Sequence, residues 1–161
     1  MRTATHFQPS VSKDLIGKTR IAIVQALYNT QYTELLERKC RETLLNAGMP
    51  AEHIDTFTVP GALEIPVTAQ VAAKTGKYQA IIALGLVMKG ETYHFELVAD
   101  QCAAGCMQVS LHNNIPVIME VLAAYTIQQA KDRCGDNDKN KGIEAAQAAL
   151  LTIETLSQLH G

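Results

Sequence analysis

Apolar runs alternate with amphipathic segments along most of the chain. Four apolar runs predict short β-strands, at residues 21–26, 54–59, 80–87 and 116–122. After each run, apolar residues recur every three or four positions, the spacing of an α-helix with one buried face. The segment Thr126-Ile127-Gln128-Gln129 has the spacing of a capping box and predicts the start of one of these helices. The pattern therefore predicts a series of strand–helix units.

Such units, joined by short connections, predict a mainly parallel sheet that helices cover on both faces. The run 80–87 has polar residues on neither side, as expected for a strand buried from both directions. We therefore expect an α/β fold, a three-layer sandwich around a four-stranded parallel sheet. Residues 1–19 are predicted to form a polar, loosely held arm, and residues 20–161 a single domain.

Composition and charge narrow the range of functions. Hydrophobic residues make up 47% of the chain and charged residues 19%, which is ordinary for a globular protein. A net charge of −2 gives no general attraction to nucleic acid or to a membrane surface. The longest apolar run, 80–88, has about half of the roughly 20 residues that a membrane-spanning helix needs. The first residues lack the apolar stretch of a secretory signal, so we expect a cytoplasmic protein.

The four cysteines are expected to be reduced in that compartment. Cys102 and Cys106 share one helix face, where they could ligate a metal ion, but buried apolar packing is the favoured interpretation. No metal site is predicted.

The segment 85–96 carries the first candidate chemistry. It joins an apolar strand to an amphipathic helix through a turn that contains Gly90, and Thr92 is the predicted N-cap of that helix. Free backbone N–H groups at a helix start can hold an anion, and His94 lies in the same turn. Alternatively, Gly90 only makes the turn and His94 is an exposed polar residue. This segment alone favours neither interpretation.

Three other clusters also follow predicted strands, which favours the functional interpretation of His94. They are Tyr28-Asn29, residues 61–64 and the segment after Leu122. In open parallel sheets, ligands bind beyond the carboxyl ends of the strands. The clusters can therefore converge with 87–92 on one rim of the sheet.

These motifs together resemble the 6,7-dimethyl-8-ribityllumazine synthase family over about residues 20–159. Three segments carry the resemblance in the same order as in the family: 59–66 (Val-Pro-Gly-Ala-Leu-Glu-Ile-Pro), 85–96, and 129–135 with 140–146. The resemblance implies a flavodoxin-like fold and the penultimate reaction of riboflavin synthesis. In that reaction, 5-amino-6-(D-ribitylamino)uracil condenses with 3,4-dihydroxy-2-butanone 4-phosphate, phosphate and water leave, and no metal or organic cofactor takes part.

The resemblance also implies roles for individual residues. His94 matches the catalytic histidine that transfers protons. Gly90, Glu91 and Thr92 match the phosphate turn, and Arg133 matches a phosphate-binding arginine. Lys141 adds charge nearby in this interpretation. The other residues implied in substrate binding are Tyr28, Asn29, Gly61, Ala62, Leu63, Glu64, Val87, Met88, Lys89 and Met119.

Several of these residues have a simpler alternative. Arg133 could be a cation placed favourably at a helix end, Glu64 an acid in a helix first turn, and Lys141 a solvated lysine. Met119 stands where many members have a phenylalanine from the adjacent subunit, and Glu91 brings a carboxylate close to the expected phosphate.

The resemblance further implies a homo-oligomer with shared sites. Tyr28, Glu64 and His94 would come from one chain of a pentamer, and Met119 and Arg133 from the next. Twelve pentamers could close into a shell, and riboflavin synthase is a possible partner. A non-catalytic oligomer that binds flavin or lumazine is the alternative function. A flavodoxin-like electron carrier is disfavoured, because residues 27–31 contain no glycine for a phosphate loop.

Overall fold

The computed structural model describes residues 9–161, so the first eight residues of the expected arm lie outside the described part. The strands found there are β1 (Ile21–Ala26), β2 (Ile54–Val59), β3 (Ala80–Met88) and β4 (Val117–Ala124). The α-helices are α1 (Lys13–Lys18), α2 (Thr30–Asn46), α3 (Ile65–Lys74), α4 (His94–Asn113), α5 (Ile127–Cys134) and α6 (Lys141–Leu159). Short 3₁₀ turns at Ala51–His53 and Ala62–Glu64 flank β2.

The strands form one parallel sheet in the order β2-β1-β3-β4. Successive side chains of a strand point to opposite faces, so each central strand contributes to two cores. On one face Ile23, Ile82 and Leu84 pack against α2, α5 and α6. On the other face Val24 and Ile81 pack against α3 and α4. The expected three-layer α/β sandwich is therefore confirmed.

The part of the expected arm that the structure describes packs partly against the domain. Ser12 caps α1, because its Oγ accepts a hydrogen bond from the Leu15 N–H (3.2 Å). Ile16 of α1 is buried in the core beneath α2. We expected a loosely held arm up to residue 19, but Ile16 is buried and Leu15 packs against the same core, which fixes residues 13–18.

The start of α4 also differs from the expectation. The helix begins at His94 with Tyr93 as its N-cap, and not with Thr92 as predicted. Tyr93 has helical backbone angles, and the Thr92 Oγ1 accepts a hydrogen bond from the His94 N–H (3.4 Å). The Thr92 hydroxyl therefore still contacts the start of α4, although Thr92 lies one residue before the N-cap. Within residues 9–161, no helix combines the length and the apolar character needed to cross a membrane.

Candidate functional site

An open groove of about 590 Å³ lies beyond the carboxyl ends of β1 and β3. The 3₁₀ turn after β2 forms one wall, and the start of α4 closes one end. The structure brings together nine of the predicted site residues here. They are Tyr28, Asn29, Gly61, Ala62, Leu63, Glu64, Val87, Met88 and His94.

The wall between β1 and β2 is built by a close backbone approach. Where the two strands end, the Leu27 N–H donates to the Val59 carbonyl (2.8 Å) and the Tyr28 N–H donates to the Pro60 carbonyl (3.1 Å). The Tyr28 ring then lies against Gly61, where a Cβ atom would be only 2.8 Å from the ring. Only glycine leaves the ring in this position. Tyr28 remains 70% exposed, which leaves ring surface open to a planar ligand.

Asn29 connects this wall to the central strand. Its backbone is left-handed (φ 61°), a conformation that asparagine tolerates better than most residues. Its side-chain Nδ2 donates a hydrogen bond to the Leu86 carbonyl of β3 (2.8 Å). Asn29 lines the groove as predicted, and one of its amide hydrogens holds the ends of β1 and β3 together.

Glu64 is fixed by its own turn. Its Oε2 accepts a hydrogen bond from the Gly61 N–H (2.9 Å), and the side chain stays exposed at the groove. Among the described residues, the other carboxylate oxygen accepts no hydrogen bond. The turn therefore presents an oriented carboxylate oxygen that can accept a hydrogen bond from a ligand hydroxyl.

The end of the groove at α4 combines a histidine with a helix start. His94 is the first residue of α4, its side chain is exposed, and it lines the groove. The first turn of a helix leaves backbone N–H groups without helical partners, so this end favours an anion. Gly90, beside it, has open space where a Cβ would lie. The arrangement can hold an anionic group beside a proton-transfer side chain.

Lys89 reduces the negative charge at this helix start. Its Nζ forms an ion pair with Glu96 in the first turn of α4, and it lies 5.2 Å from the centre of the Phe95 ring. The hydrogen bond from Lys89 holds the pKa of the Glu96 carboxyl below its usual range. Glu91 is exposed and does not line the groove. Lys89, Gly90, Glu91 and Thr92 are all exposed beside the groove without lining it.

The structure does not bring Met119, Arg133 and Lys141 into the groove of the same chain. Met119 lies in β4 opposite Ala83, on the face that α3 and α4 cover, and is 39% exposed. Arg133 lies in the last turn of α5, where its Nη1 donates to the Gln129 carbonyl (3.2 Å). Lys141 is the first residue of α6 and pairs with Glu144.

Glu120 is a candidate functional residue that no sequence motif indicated. It lies in β4 between Ile118 and Leu122, whose side chains pack on the core beneath α2, α5 and α6. Burial is the main cause that raises the pKa of its carboxyl to about 7, and the neighbouring Glu144 raises it further. The sequence feature that could have indicated Glu120 is an acidic residue at an inward-facing position of an otherwise apolar strand.

The cysteines behave as core residues. Cys40, Cys102, Cys106 and Cys134 are free and buried, which fits the interpretation of Cys102 and Cys106 as apolar packing. Burial raises the pKa of the Cys40 and Cys134 thiols. Within residues 9–161, no group of three or more His, Cys, Asp or Glu side chains is arranged to hold a metal ion.

Comparison with known proteins identifies relatives over most of the chain. Residues 18–157 match the sequence profile of the family described as 6,7-dimethyl-8-ribityllumazine synthase. A protein of that name from Xanthomonas oryzae pv. oryzae (strain PXO99A) is 42% identical over 140 residues, which cover 87% of this chain and 91% of the relative. A protein of the same name from Xylella fastidiosa (strain M12) is 41% identical over the same shares of both chains.

Proposed function

We propose that this chain, which belongs to the 6,7-dimethyl-8-ribityllumazine synthase family, catalyses the condensation of 5-amino-6-(D-ribitylamino)uracil with 3,4-dihydroxy-2-butanone 4-phosphate. The product is 6,7-dimethyl-8-ribityllumazine, and phosphate and water are released. The observation that carries this function is that one groove is lined both by His94, at a helix start, and by the wall of Tyr28, Gly61 and Glu64. The reaction is the penultimate step of riboflavin synthesis.

The groove offers distinct surfaces for the parts of the first substrate. Its volume, about 590 Å³, is within the usual size of a small-molecule site. The exposed Tyr28 ring suits the planar heterocycle, and the oriented carboxylate of Glu64 suits the ribityl hydroxyls. Ala62, Leu63, Val87 and Met88 would complete the wall around the ring.

The start of α4 suits the phosphate of the second substrate. Backbone N–H groups of the first helical turn, the open turn at Gly90 and the Thr92 hydroxyl can all face an anion. The pairing of Lys89 with Glu96 offsets a carboxylate that would otherwise repel that phosphate.

His94 is the residue proposed to transfer protons. Imine formation, loss of phosphate and ring closure each move a proton to or from the substrate, and histidine is the usual side chain for this task at neutral pH. His94 is exposed at the groove, next to the proposed phosphate position. In the proposed complex, its ring can therefore exchange protons with the substrate atoms that lie between the reacting amine and the leaving phosphate.

A second copy of the chain is proposed to complete the site. Met119, Arg133 and Lys141 lie outside the groove of their own chain, so a neighbour would supply them. Apolar side chains on α3 and α4 are largely exposed and give such a neighbour a surface to cover; they are Val67, Val71, Met107 and Leu111. We propose a ring of five chains, with a shell of twelve rings as a possible further assembly. A cytoplasmic location and a contact with riboflavin synthase stay predictions.

An activity assay tests the proposed function. Purified protein is mixed with both substrates, and formation of the lumazine is followed by absorbance and fluorescence, with a protein-free reaction as the control. We expect a clear acceleration over the spontaneous condensation. A rate equal to the protein-free control, together with tight binding of lumazine or flavin, would instead indicate the non-catalytic binding oligomer.

A further inference from the structure

A buried asparagine connects the two helices that carry Arg133 and Lys141. Asn140 precedes α6 and is only 2% exposed. Its Nδ2 donates a hydrogen bond to the Gly135 carbonyl at the end of α5 (2.9 Å). Its Oδ1 accepts one from the Gly142 N–H in the first turn of α6 (2.8 Å). One amide side chain therefore fixes the end of α5 against the start of α6.

Both helix ends are also held against α2. A Cβ atom on Gly142 would lie 2.1 Å from the Leu36 carbonyl, so the start of α6 touches the α2 backbone and admits no side chain. In the loop between α5 and α6, the Asp136 carboxylate forms ion pairs with Arg38 and Lys39 of α2, with a nitrogen–oxygen distance of 2.9 Å in each. The α5–α6 connection is thus fixed on the side that faces α2.

The two cations lie directly beside these fixed points. Arg133 precedes Cys134, which is fully buried at the end of α5, and Lys141 stands between Asn140 and Gly142. The Arg133 side chain itself is exposed. The relative placement of the two cations therefore depends on the backbone that carries them, and Asn140 is the buried side chain that joins the two backbones.

We infer that Asn140 is a positioning residue that sets the relative placement of Arg133 and Lys141 and thereby the affinity for the phosphate of the substrate. The inference rests on the proposed function, and it takes Arg133 of the neighbouring chain as a phosphate ligand and Lys141 as a second cation near that phosphate. Two cations bind one anion well only when both reach it together, because a displaced partner loses its charge-assisted hydrogen bond. Asn140 itself touches no substrate in this arrangement.

The substitution Asn140→Asp tests this role with little change in shape. It keeps the oxygen that accepts from the Gly142 N–H, so the cap of α6 remains. It replaces the Nδ2 group, so an ionised side chain can no longer donate to the Gly135 carbonyl. Because Arg133 and Lys141 then no longer reach the phosphate together, we expect the KM for the butanone phosphate to rise roughly three- to tenfold. The kcat and the KM for the ribitylaminouracil should change less than about twofold, because only binding of the phosphate group is weakened.

A second readout separates this inference from the proposed function. Calorimetric titration of the free protein with inorganic phosphate measures the cation pair without any turnover. We expect the same three- to tenfold loss in phosphate affinity for Asn140→Asp. If the wild-type protein binds phosphate but makes no lumazine, the proposed function fails, while the effect of Asn140→Asp on phosphate binding still tests the positioning role. If the wild-type protein binds no phosphate, the positioning role is overturned.

Two further variants keep the result interpretable. If the buried carboxylate prevents folding, Asn140→Ser serves instead, because serine also caps a helix but is too short to bridge to Gly135. Ile153→Val, in the buried part of α6, loses packing without touching the connection and should leave both KM values unchanged. Equal rises in both KM values, a fall in kcat alone, or no change would each contradict the positioning role.

Discussion

Replacing Glu120 by glutamine should change how the stability of the protein depends on pH. The carboxyl lies on the core face of β4, and burial together with Glu144 raises its pKa to about 7. Lys141, nearby, lowers it only in part. In the unfolded chain the same group regains its ordinary pKa of 4.5. Between these two values the folded protein keeps the proton that the unfolded chain has lost.

The sign and size of the effect follow from this difference. Below pH 4.5 both states are protonated and Glu120 has no pH-dependent effect. As the pH rises towards 7, ionisation favours the unfolded chain, so the free energy of unfolding falls. The two pKa values differ by about 2.5 units, and each unit corresponds to about 1.4 kcal/mol, so the fall amounts to about 3 kcal/mol. Glutamine has no proton to lose and should avoid this fall.

Urea unfolding between pH 4 and pH 8.5, at one fixed protein concentration, measures the effect. We expect Glu120→Gln to gain about 3 kcal/mol relative to the wild type between the two ends of this range. Glu42→Gln, at an exposed position of α2, is the matched control and should follow the wild type at every pH. A difference between wild type and Glu120→Gln that stays constant from pH 4 to pH 8.5 would refute the reasoning.

Three further predictions concern the groove and its proposed partner residues. His94→Ala should lower kcat by about 10²-fold, near the lower end of the range for acid–base catalysis, without loss of ligand binding; steady-state kinetics with a wild-type kcat would contradict this role. Arg133→Ala should weaken binding of the butanone phosphate more than tenfold, because one charge-assisted hydrogen bond contributes about 1.5–3 kcal/mol, but it should barely change riboflavin binding. Titration calorimetry that shows equal losses of affinity for both ligands would indicate a structural arginine. Gly61→Ala should displace the Tyr28 ring and weaken riboflavin binding, whereas Gly17→Ala, where a Cβ meets open space, should bind like the wild type in the same fluorescence titration.

The elements that carry strong periodic patterns could be predicted from the sequence. The predicted bounds of β1 and β2 are confirmed, and β3 and β4 run one and two residues beyond their predicted ends at Val87 and Leu122. Period and length determine these elements, because a run of apolar residues between turn residues has few other folded solutions. The groove residues could be predicted for a related reason, since parallel strands bring their carboxyl ends to one edge.

The remaining features depend on tertiary contacts that no local pattern encodes. The start of α4 at His94 depends on the helical backbone angles of its N-cap, Tyr93, which the local sequence did not indicate. Asn140 precedes an ordinary amphipathic helix in the sequence, and only the fold shows its bond to Gly135. In the proposed assembly Arg133 reaches the groove of a neighbouring chain, and neither the sequence pattern nor one folded chain determines such a contact.

In the proposed assembly, catalysis needs the groove of one chain and Arg133 of another. Mixed oligomers test it most directly: His94→Ala and Arg133→Ala chains are unfolded, combined in equal amounts and refolded together, and lumazine formation is measured. If the sites are shared, about a quarter of the interfaces combine an intact groove with an intact Arg133, and about a quarter of the wild-type rate should return. Each variant refolded alone is the control. A mixture no more active than these controls would contradict the shared site, because every chain would then carry its own defect.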